Sequence, residues 1–336
     1  MRTKAVYGPV VVTRHRPRRL VWTVGAVISG LLLVGYFTIA AITVATLSKP
    51  PRHALGPDPM SYGVPFESIT FLARGSPAVR LSGWFLAYAG SHRAIILVHG
   101  FGRGGCRTCG FSGRFGELGA ALQQRGFNVL LFDVRGHGRS SDGRYTFGLH
   151  EKDDVEGAVD WLLRHGFRPG MIGVLGESMG GVASILAAAE EPAVGTLVID
   201  SAFADLERVL RVEFPKQSGL PSWFLPGAYL MGRLIIGADL RTARPVDVIG
   251  RIAPRPVLLI HGTDDEVVPL AHLHLLAQAD PSADVWIVVG ATHVGAYASA
   301  PQVYLDRVAR FLMHGLQDVN PADAGTSAAT PRSSPE

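Results

Sequence analysis

The sequence predicts an α/β fold: a mostly parallel sheet with helices on both faces, a small helical cap, and one membrane-spanning helix ahead of it. Three observations lead there. Apolar runs of strand length alternate with helix-length stretches through most of the chain, the rhythm of helices packed on both sides of a parallel sheet. Several runs, such as Ala94-Ile-Ile-Leu-Val98, are apolar at every position, which suits strands buried on both faces. Near the N-terminus, residues 20–47 form 28 consecutive positions without a charge, where ~20 suffice to cross a bilayer as a helix.

That stretch divides the chain by charge. Of the 336 residues, those before Asp58 include eight basic and no acidic side chains. The remainder then holds 24 basic against 28 acidic residues, a net of −4, although the whole chain is +4. A mildly acidic body argues against nucleic-acid binding. Six basic residues (Arg2, Lys4, Arg14, Arg16, Arg18 and Arg19) precede the apolar run, and Lys49 and Arg52 follow it. This bias keeps residues 1–19 in the cytoplasm and puts the body outside. The alternative is a cleaved signal peptide, whose apolar core would be only ~7–15 residues; Thr43-Val-Ala45 is the one resemblance to a cleavage site. Residues 48–61, rich in proline and without periodicity, read as a stiff tether from bilayer to domain. On that reading, cutting the tether releases an active body. Residues 317–336, rich in Ala, Pro, Ser and Thr, read as a disordered tail. Between them, residues 62–316 are long and apolar enough for one large domain.

Within that domain, strands are expected at 68–72 and 79–88, separated by the turn Gly75-Ser-Pro77. The run 94–98 is a third strand. A helix near 115–125 carries Leu118, Ala121 and Leu122 on one face and stops at Gly126. A strand at 128–132, a helix at 151–165, a strand-turn-helix unit at 171–189 and a strand at 196–199 follow. Residues 201–251 break this rhythm with Phe214-Pro215, Pro221-Ser-Trp-Phe-Leu-Pro226 and the apolar run 229–236, and are assigned to a helical cap. Strands at 257–260 and 285–289 resume the sheet, and a helix at 303–313 closes it. No internal repeat is present.

The chemistry begins at Gly176-Glu-Ser-Met-Gly180, placed between a strand and a small-residue helix. That is the strand-turn-helix context in which G-x-S-x-G presents a serine on a sharp turn. Side chains flanking such a turn would collide with the crossing chain, and Gly176 and Gly180 remove them. The turn aims the Met179 N–H at a bound oxygen, with the positive end of the helix behind it. A serine hydroxyl needs a base, and the base needs an orienting acid. On this architecture they are expected in later loops, in the order Ser, Asp or Glu, His. After strand 257–260 comes His261-Gly-Thr-Asp-Asp265, and after strand 285–289 comes Gly290-Ala-Thr-His293. Both loops lie beyond the carboxyl ends of strands, where open α/β sheets bind ligands.

With these motifs in view, the body resembles an α/β-hydrolase of the serine-esterase and lipase type, similar to the monoacylglycerol lipase, feruloyl esterase and serine aminopeptidase-like branches. The matching stretches are His99-Gly-Phe-Gly102, Asp133-x-Arg-Gly-His-Gly-x-Ser140, the Ser178 turn, His261-Gly-x-x-Asp265 and the His293 loop. The resemblance implies that Ser178 is the nucleophile, His293 the base and Asp265 the acid, with an oxyanion hole made by the backbone N–H groups of Phe101 and Met179. It implies no metal and no organic cofactor. The expected substrate is a small-molecule carboxylic ester, lipid-derived if part of the cap faces the bilayer, with amides or thioesters as the alternative. A non-catalytic binding protein on the same frame is the remaining reading.

Other polar residues compete for these roles. Asp264 and Asp200 are alternative acids. His99 and His137 sit in nearby loops and are read as structural, His99 shaping the oxyanion loop; His261 belongs to its turn. Glu177 is read as a support for the serine rather than a general acid. Glu151 and Asp154 open a helix and suit its N-terminal dipole. Trp223, Phe224, Leu225 and Tyr229 line an acyl pocket or cement the cap to the body. Cys106 and Cys109 form C-x-x-C; without a second pair a zinc site is not expected, and outside the membrane they could close a small loop as a disulfide.

Overall fold

The structure, a computed structural model, describes Gly8 and residues 17–50, 57–101 and 115–317. Cys106, Cys109, Gly102, most of the basic segment before residue 17, the middle of the proline-rich stretch and all but the first residue of the C-terminal tail lie outside them. Among the described residues eight strands form one sheet: β1 (Glu67–Ala73), β2 (Ser76–Leu86), β3 (Ala94–Val98), β4 (Asn128–Asp133), β5 (Ile172–Glu177), β6 (Val194–Asp200), β7 (Val257–Gly262) and β8 (Asp284–Val288). Their order is β1-β2-β4-β3-β5-β6-β7-β8. β2 lies antiparallel to β1 and β4, and every pair from β4 to β8 is parallel.

The helices are α1 (Pro17–Leu47), α2 (Phe115–Gln123), α3 (Glu151–Arg164), α4 (Met179–Glu190), α5 (Leu206–Ser218), α6 (Leu225–Ile235), α7 (Ala271–Ala279), α8 (Ala296–Ser299) and α9 (Pro301–Gly315). The all-apolar strands divide their side chains between two cores. Ala94, Ile96 and Val98 of β3 pack with α3, α4 and α7, whereas Ile95 and Leu97 pack with α2 and α9. Every residue of β3, β4 and β5 is buried. That is why these runs lack the alternation of a one-sided sheet. The sequence reading did not anticipate α7, whose two histidines interrupt its apolar stripe; only His272, Leu273 and Leu276 are buried.

Between β6 and β7 the chain leaves the sheet to form α5 and α6, the expected cap. Its partner is unexpected. Over residues 19–35 every side chain of α1 is exposed, whereas Tyr36, Ala40, Val44 and Ser48 recur every fourth position and are at least partly buried. This stripe lies on one helix face. Ala40 and Val44 pack with Phe214, Phe224, Leu225 and Ala228 of the cap. Tyr36 stacks on Trp223 and Phe224 and accepts a hydrogen bond from the Gly227 N–H at 3.0 Å. Gly227 has no Cβ because one would come within 2.6 Å of the Tyr36 ring.

The chain immediately after α1 is also held against the body. The Tyr145 N–H donates to the Ser48 carbonyl at 2.8 Å, and Arg144 donates to Ala45 O and Ser48 Oγ, each at 2.9 Å. A proline-rich composition signals stiffness, and it carries no information about this docking. By length and composition α1 can cross a membrane. Its 31 residues span ~46 Å, longer than the ~30 Å hydrocarbon core. The exposed segment 19–35 accounts for ~25 Å of that length.

The β5-to-α4 turn leaves no room for side chains. A Cβ on Gly180 would overlap the Val98 and His99 carbonyl oxygens, and one on Gly176 would lie 2.6 Å from Gly180 O. Gly180→Ala should therefore destabilise the protein by about 1–3 kcal/mol or more. Gly232→Ala, in α6 with only the Leu240 side chain beyond 3.6 Å, should be neutral or stabilising by up to ~1 kcal/mol. Denaturant midpoints of the two variants check the contrast; equal destabilisation would contradict it.

Candidate active site

Ser178 sits between β5 and α4 with φ 52° and ψ −120°, a backbone that non-glycine residues adopt only under constraint. Its N–H donates to Asp200 O at 2.8 Å, which ties the turn to the end of β6. The turn projects the side chain beyond the carboxyl end of the sheet. There Ser178 Oγ donates to His293 Nε2 at 2.9 Å, and His293 Nδ1–H donates to Asp265 Oδ2 at 2.7 Å. All three residues are buried. The residues singled out by spacing thus meet in one hydrogen-bonded chain, contributed by the loops after β5, β7 and β8.

Asp265 is fully satisfied. Its Oδ1 accepts the N–H groups of Val267 (3.0 Å) and Val268 (2.8 Å), and its Oδ2 also lies 3.2 Å from His261 Nε2. Burial opposes its charge, but the hydrogen bonds from His261 and His293 prevail and hold its carboxyl well below the usual range. Asp265 is therefore ionised whenever the rest of the protein is folded near neutral pH. His261 Nε2 donates to Val268 O at 2.7 Å, so it braces the acid's turn as expected. Burial works against the protonated His261 ring, while Asp265 and the Val268 carbonyl outweigh it and raise its pKa.

The alternative acids lie elsewhere. Asp264 accepts from Thr263 Oγ1 at 2.8 Å. Asp200 accepts from Ser201 Oγ–H at 2.9 Å, and Ser201 Oγ in turn accepts the Val294 N–H at 3.1 Å. This relay clamps the residue after His293. Both its ends are strained: Ser201 has φ 56° and Val294, a β-branched residue, has φ 55°. The sequence reading missed Ser201; its only signal there is a position immediately after a buried strand. Burial pushes the Asp200 carboxyl up to about 6. Burial, and after it the nearby Asp200, push the Glu177 carboxyl well above its ordinary value. One carboxyl oxygen of each is buried without a hydrogen-bond partner.

Phe101 and Met179 line the same cavity as Ser178. The loop carrying Phe101 presses against the serine turn, since a Cβ on Gly100 would lie 2.9 Å from Glu177 O and from Ser178 Cβ. His99 shapes this loop: its Nδ1–H donates to Gly100 O at 2.9 Å and its Nε2 accepts the Val134 N–H at 3.1 Å. Burial lowers its pKa. His137 lies between Arg135 O (3.1 Å) and Tyr145 Oη (2.9 Å). Glu151 and Asp154 do more than face a helix dipole. Glu151 accepts the N–H groups of Thr146 (2.9 Å) and Gly148 (2.8 Å), and Asp154 takes a bidentate pair from Arg135, 2.6 Å at its shortest. Thr146 and Gly148 lie in the loop just before α3, and Arg135 lies 19 residues ahead of Asp154, pairings that the acidic composition of a helix start does not reveal. They secure the turn that holds Phe147 against the site.

Above the serine and imidazole lies a cavity of about 580 Å³, within the ~300–1,000 Å³ typical of small-molecule sites. Leu225 and Tyr229 line it, whereas Trp223 and Phe224 stack on α1, so the four cap residues divide between pocket and helix docking. Thr43, Val44 and Leu47 of α1 also line it. Nothing in an uncharged helix-length run distinguishes those positions from their lipid-compatible neighbours. Among the described residues no cluster of His, Cys, Asp and Glu suits a metal. Chemically, the arrangement sets a serine hydroxyl, an imidazole and a carboxylate in one hydrogen-bonded line, along which a proton can be drawn from the hydroxyl.

Known proteins share this frame. The family model described as serine aminopeptidase, S33, matches residues 90–237. The Bacillus subtilis protein YqkD is 30% identical over 251 residues, which cover 73% of this chain and 79% of YqkD. Among solved structures, the Pyrococcus furiosus esterase PF2001 superposes with a TM-score of 0.65 at 25% identity, covering 81% of this chain and 99% of the esterase. A puromycin-hydrolysing peptidase of Mycobacterium tuberculosis shares the fold at a TM-score of 0.60 and 19% identity, over 77% of this chain and 40% of the peptidase. By its sheet, its cap and these relatives, the chain belongs to the α/β-hydrolase superfamily, among its esterase-like and serine aminopeptidase-type members.

Proposed function

We propose that this hydrolase cleaves carboxylic esters through an acyl-enzyme on Ser178. The observation that carries the reading is the Ser178–His293–Asp265 hydrogen-bonded chain at the floor of an apolar chamber. His293 Nε2 takes the Oγ proton as Oγ attacks the ester carbonyl, and the Phe101 and Met179 N–H groups receive the oxyanion. Collapse of the tetrahedral intermediate expels the alcohol, which leaves with the proton from His293. Water then attacks the acyl-serine, again giving its proton to His293. The second collapse returns that proton to Oγ and frees the carboxylic acid. Asp265 keeps the imidazole in the tautomer that accepts at Nε2. No step calls for a metal or organic cofactor.

Amide cleavage on the same site is the second reading, favoured by the serine aminopeptidase description of the matching family. A free α-amino group would call for a carboxylate in the chamber. The one such group among its described lining residues is Glu213, which already accepts from Lys216 at 2.7 Å. This supports esters. We further propose that α1 is retained as a membrane anchor with the body outside, supported by the basic residues before it and by its packing into the cap.

Four tests follow from these assignments. Ser178→Ala should lower kcat on p-nitrophenyl butyrate by roughly 10³-fold or more and abolish fluorophosphonate labelling, with folding intact. Asp265→Asn should cost about 10³–10⁴-fold through the wrong tautomer, and Asp264→Asn and Asp200→Asn far less; a larger loss at either would move the acid. The Asp200 carboxyl stays protonated to about pH 6 in the folded protein but ionises near ~3.9 when unfolded, so stability is lost as pH rises between those values. Relative to wild type, Asp200→Asn should gain on the order of 2–3 kcal/mol between pH 4 and pH 7, read from denaturant titrations at each pH. In right-side-out vesicles, external protease should digest the body and spare a tag placed before Arg2; the reverse protection would overturn the topology.

A further inference from the structure

The chamber over Ser178 is walled on one side by the N-terminal helix. Thr43, Val44 and Leu47 contribute to it from α1, and Ser48 continues the wall as the helix ends. Opposite them, α5 presents a lengthwise stripe: Leu206, Val209, Leu210, Glu213, Phe214 and Gln217. From Leu206 to Gln217 this stripe runs ~16 Å along the helix axis. Phe101 and Phe147 border the chamber beside Ser178 and His293. The cavity is thus elongated, apolar along most of its walls, and bordered by the reacting groups.

The same helix leads away from the chamber into its own lipid-compatible segment. Leu20, Trp22, Val27, Leu31, Leu32 and Val34 are each more than half exposed. Large contiguous apolar surfaces of this kind mark contact with membrane or a partner. Beside residues 29–39 of α1, Trp223 and Phe224 form the edge of an open apolar groove, and Trp223 is 63% exposed. Leu230 and Leu234 of α6 are also exposed, at 46% and 69%. Tryptophan beside an apolar span is the residue expected at a membrane–water boundary. The cap and the mouth of the chamber therefore stand where α1 leaves the lipid.

We propose that α1 is a wall of the acyl-binding site as well as an anchor, and that the substrate is an ester carrying a long acyl chain drawn from the bilayer on which α1 stands. This rests on the ester-hydrolase reading above. The acyl chain leaves the leaflet along α1, lies between α1 and α5, and brings its carbonyl to Ser178. Leu47 and Val44 occupy the turns of α1 nearest that path, and Tyr36 against Gly227 holds the helix in register with the cap. A body released by cutting after α1 loses this wall, so the expectation of an active released body does not extend to long-chain esters.

The test uses the full chain in phosphatidylcholine vesicles, with p-nitrophenyl butyrate and p-nitrophenyl palmitate as probes. Val44→Phe should lower the palmitate-to-butyrate ratio of kcat/KM by about tenfold or more, since even one methylene in an apolar pocket is worth roughly 10–200-fold. Thr43→Trp, at a less buried position, is the second variant should Val44→Phe fail to fold. Val24→Ala, on the exposed part of the same helix, should leave the ratio within about twofold, an effect well below the tenfold scale of a pocket contact. A ratio unmoved by both chamber variants in folded protein overturns the proposal. The palmitoyl ester is also presented in detergent micelles instead of the vesicle bilayer; turnover from the bilayer should be higher, and equal turnover overturns the bilayer source. Absence of turnover on either ester, with labelling of Ser178 also absent, overturns the hydrolase reading itself.

Discussion

The backbone at Ser178 is the constraint on which the site depends. A serine at φ 52° is held against its preference, at a cost of order 1–3 kcal/mol that the surrounding packing must offset. The offset comes from both neighbours of β5. β3 and its following loop press on the turn through Gly180 and Gly100, where backbone meets backbone. β6 accepts the Ser178 N–H through Asp200 O. Held from two sides, the hydroxyl has one place to point, and the loops after β7 and β8 bring Asp265 and His293 to it. The strain recurs where those loops must match. Ser201 and Val294 both take positive φ and are joined by a hydrogen bond, so the histidine loop is registered against the end of β6.

Electrostatics around this turn separate four buried carboxyl groups that composition alone would treat alike. Asp265 accepts backbone and imidazole donors and is held ionised. Asp154 is buried, which pushes its carboxyl up to about 7 against the opposing pull of its bidentate Arg135 partner. Asp200 and Glu177 lie in the same region with incomplete hydrogen bonding, and burial favours their neutral forms. An ionised acid beside the imidazole, with two acids behind the serine whose burial favours their neutral forms, lessens the crowding of like charges in one dry site. That separation supports the proposed assignment of Asp265, because only an ionised acceptor stabilises the imidazolium formed during proton transfer.

The cap is not a self-contained lid. Its apolar faces turn two ways: Tyr229 to the chamber and Trp223 and Phe224 to α1, with Leu225 and Ala228 meeting both. Cap and N-terminal helix therefore form a third core, distinct from the two that sandwich the sheet. Removing α1 would expose that core as well as open the chamber. An anchor joined only through a flexible spacer would have neither effect. The proposed lipid substrate follows from this arrangement, since the element proposed to meet the bilayer is also one that bounds the space above Ser178.

The sheet, its helices and the loops bearing Ser178, Asp265 and His293 are legible in the sequence because each rests on local signals. All-apolar runs mark strands buried on both faces, glycines mark the tight turn, and the acid and base follow strands in chain order. Most element ends agree for the same reason; α4 begins at Met179, ahead of its apolar run, and β2 begins at Ser76, inside the expected Gly75-Ser-Pro77 turn, because pairing with Ala73 carries the ladder to it. What tertiary structure alone decided are the pairings between distant segments. Asp265 rather than Asp264 reaches His293 because a carboxylate two backbone N–H groups deep in a turn points one way, which adjacent identical residues cannot express. Ser201 and Asp154 acquire their distant partners, Val294 and Arg135, only when separate segments meet. Most of all, an uncharged run of 28 residues reads as uniform, because lipid and a protein cap select the same apolar side chains. Only packing distinguishes the face of α1 that closes the chamber from the faces left exposed.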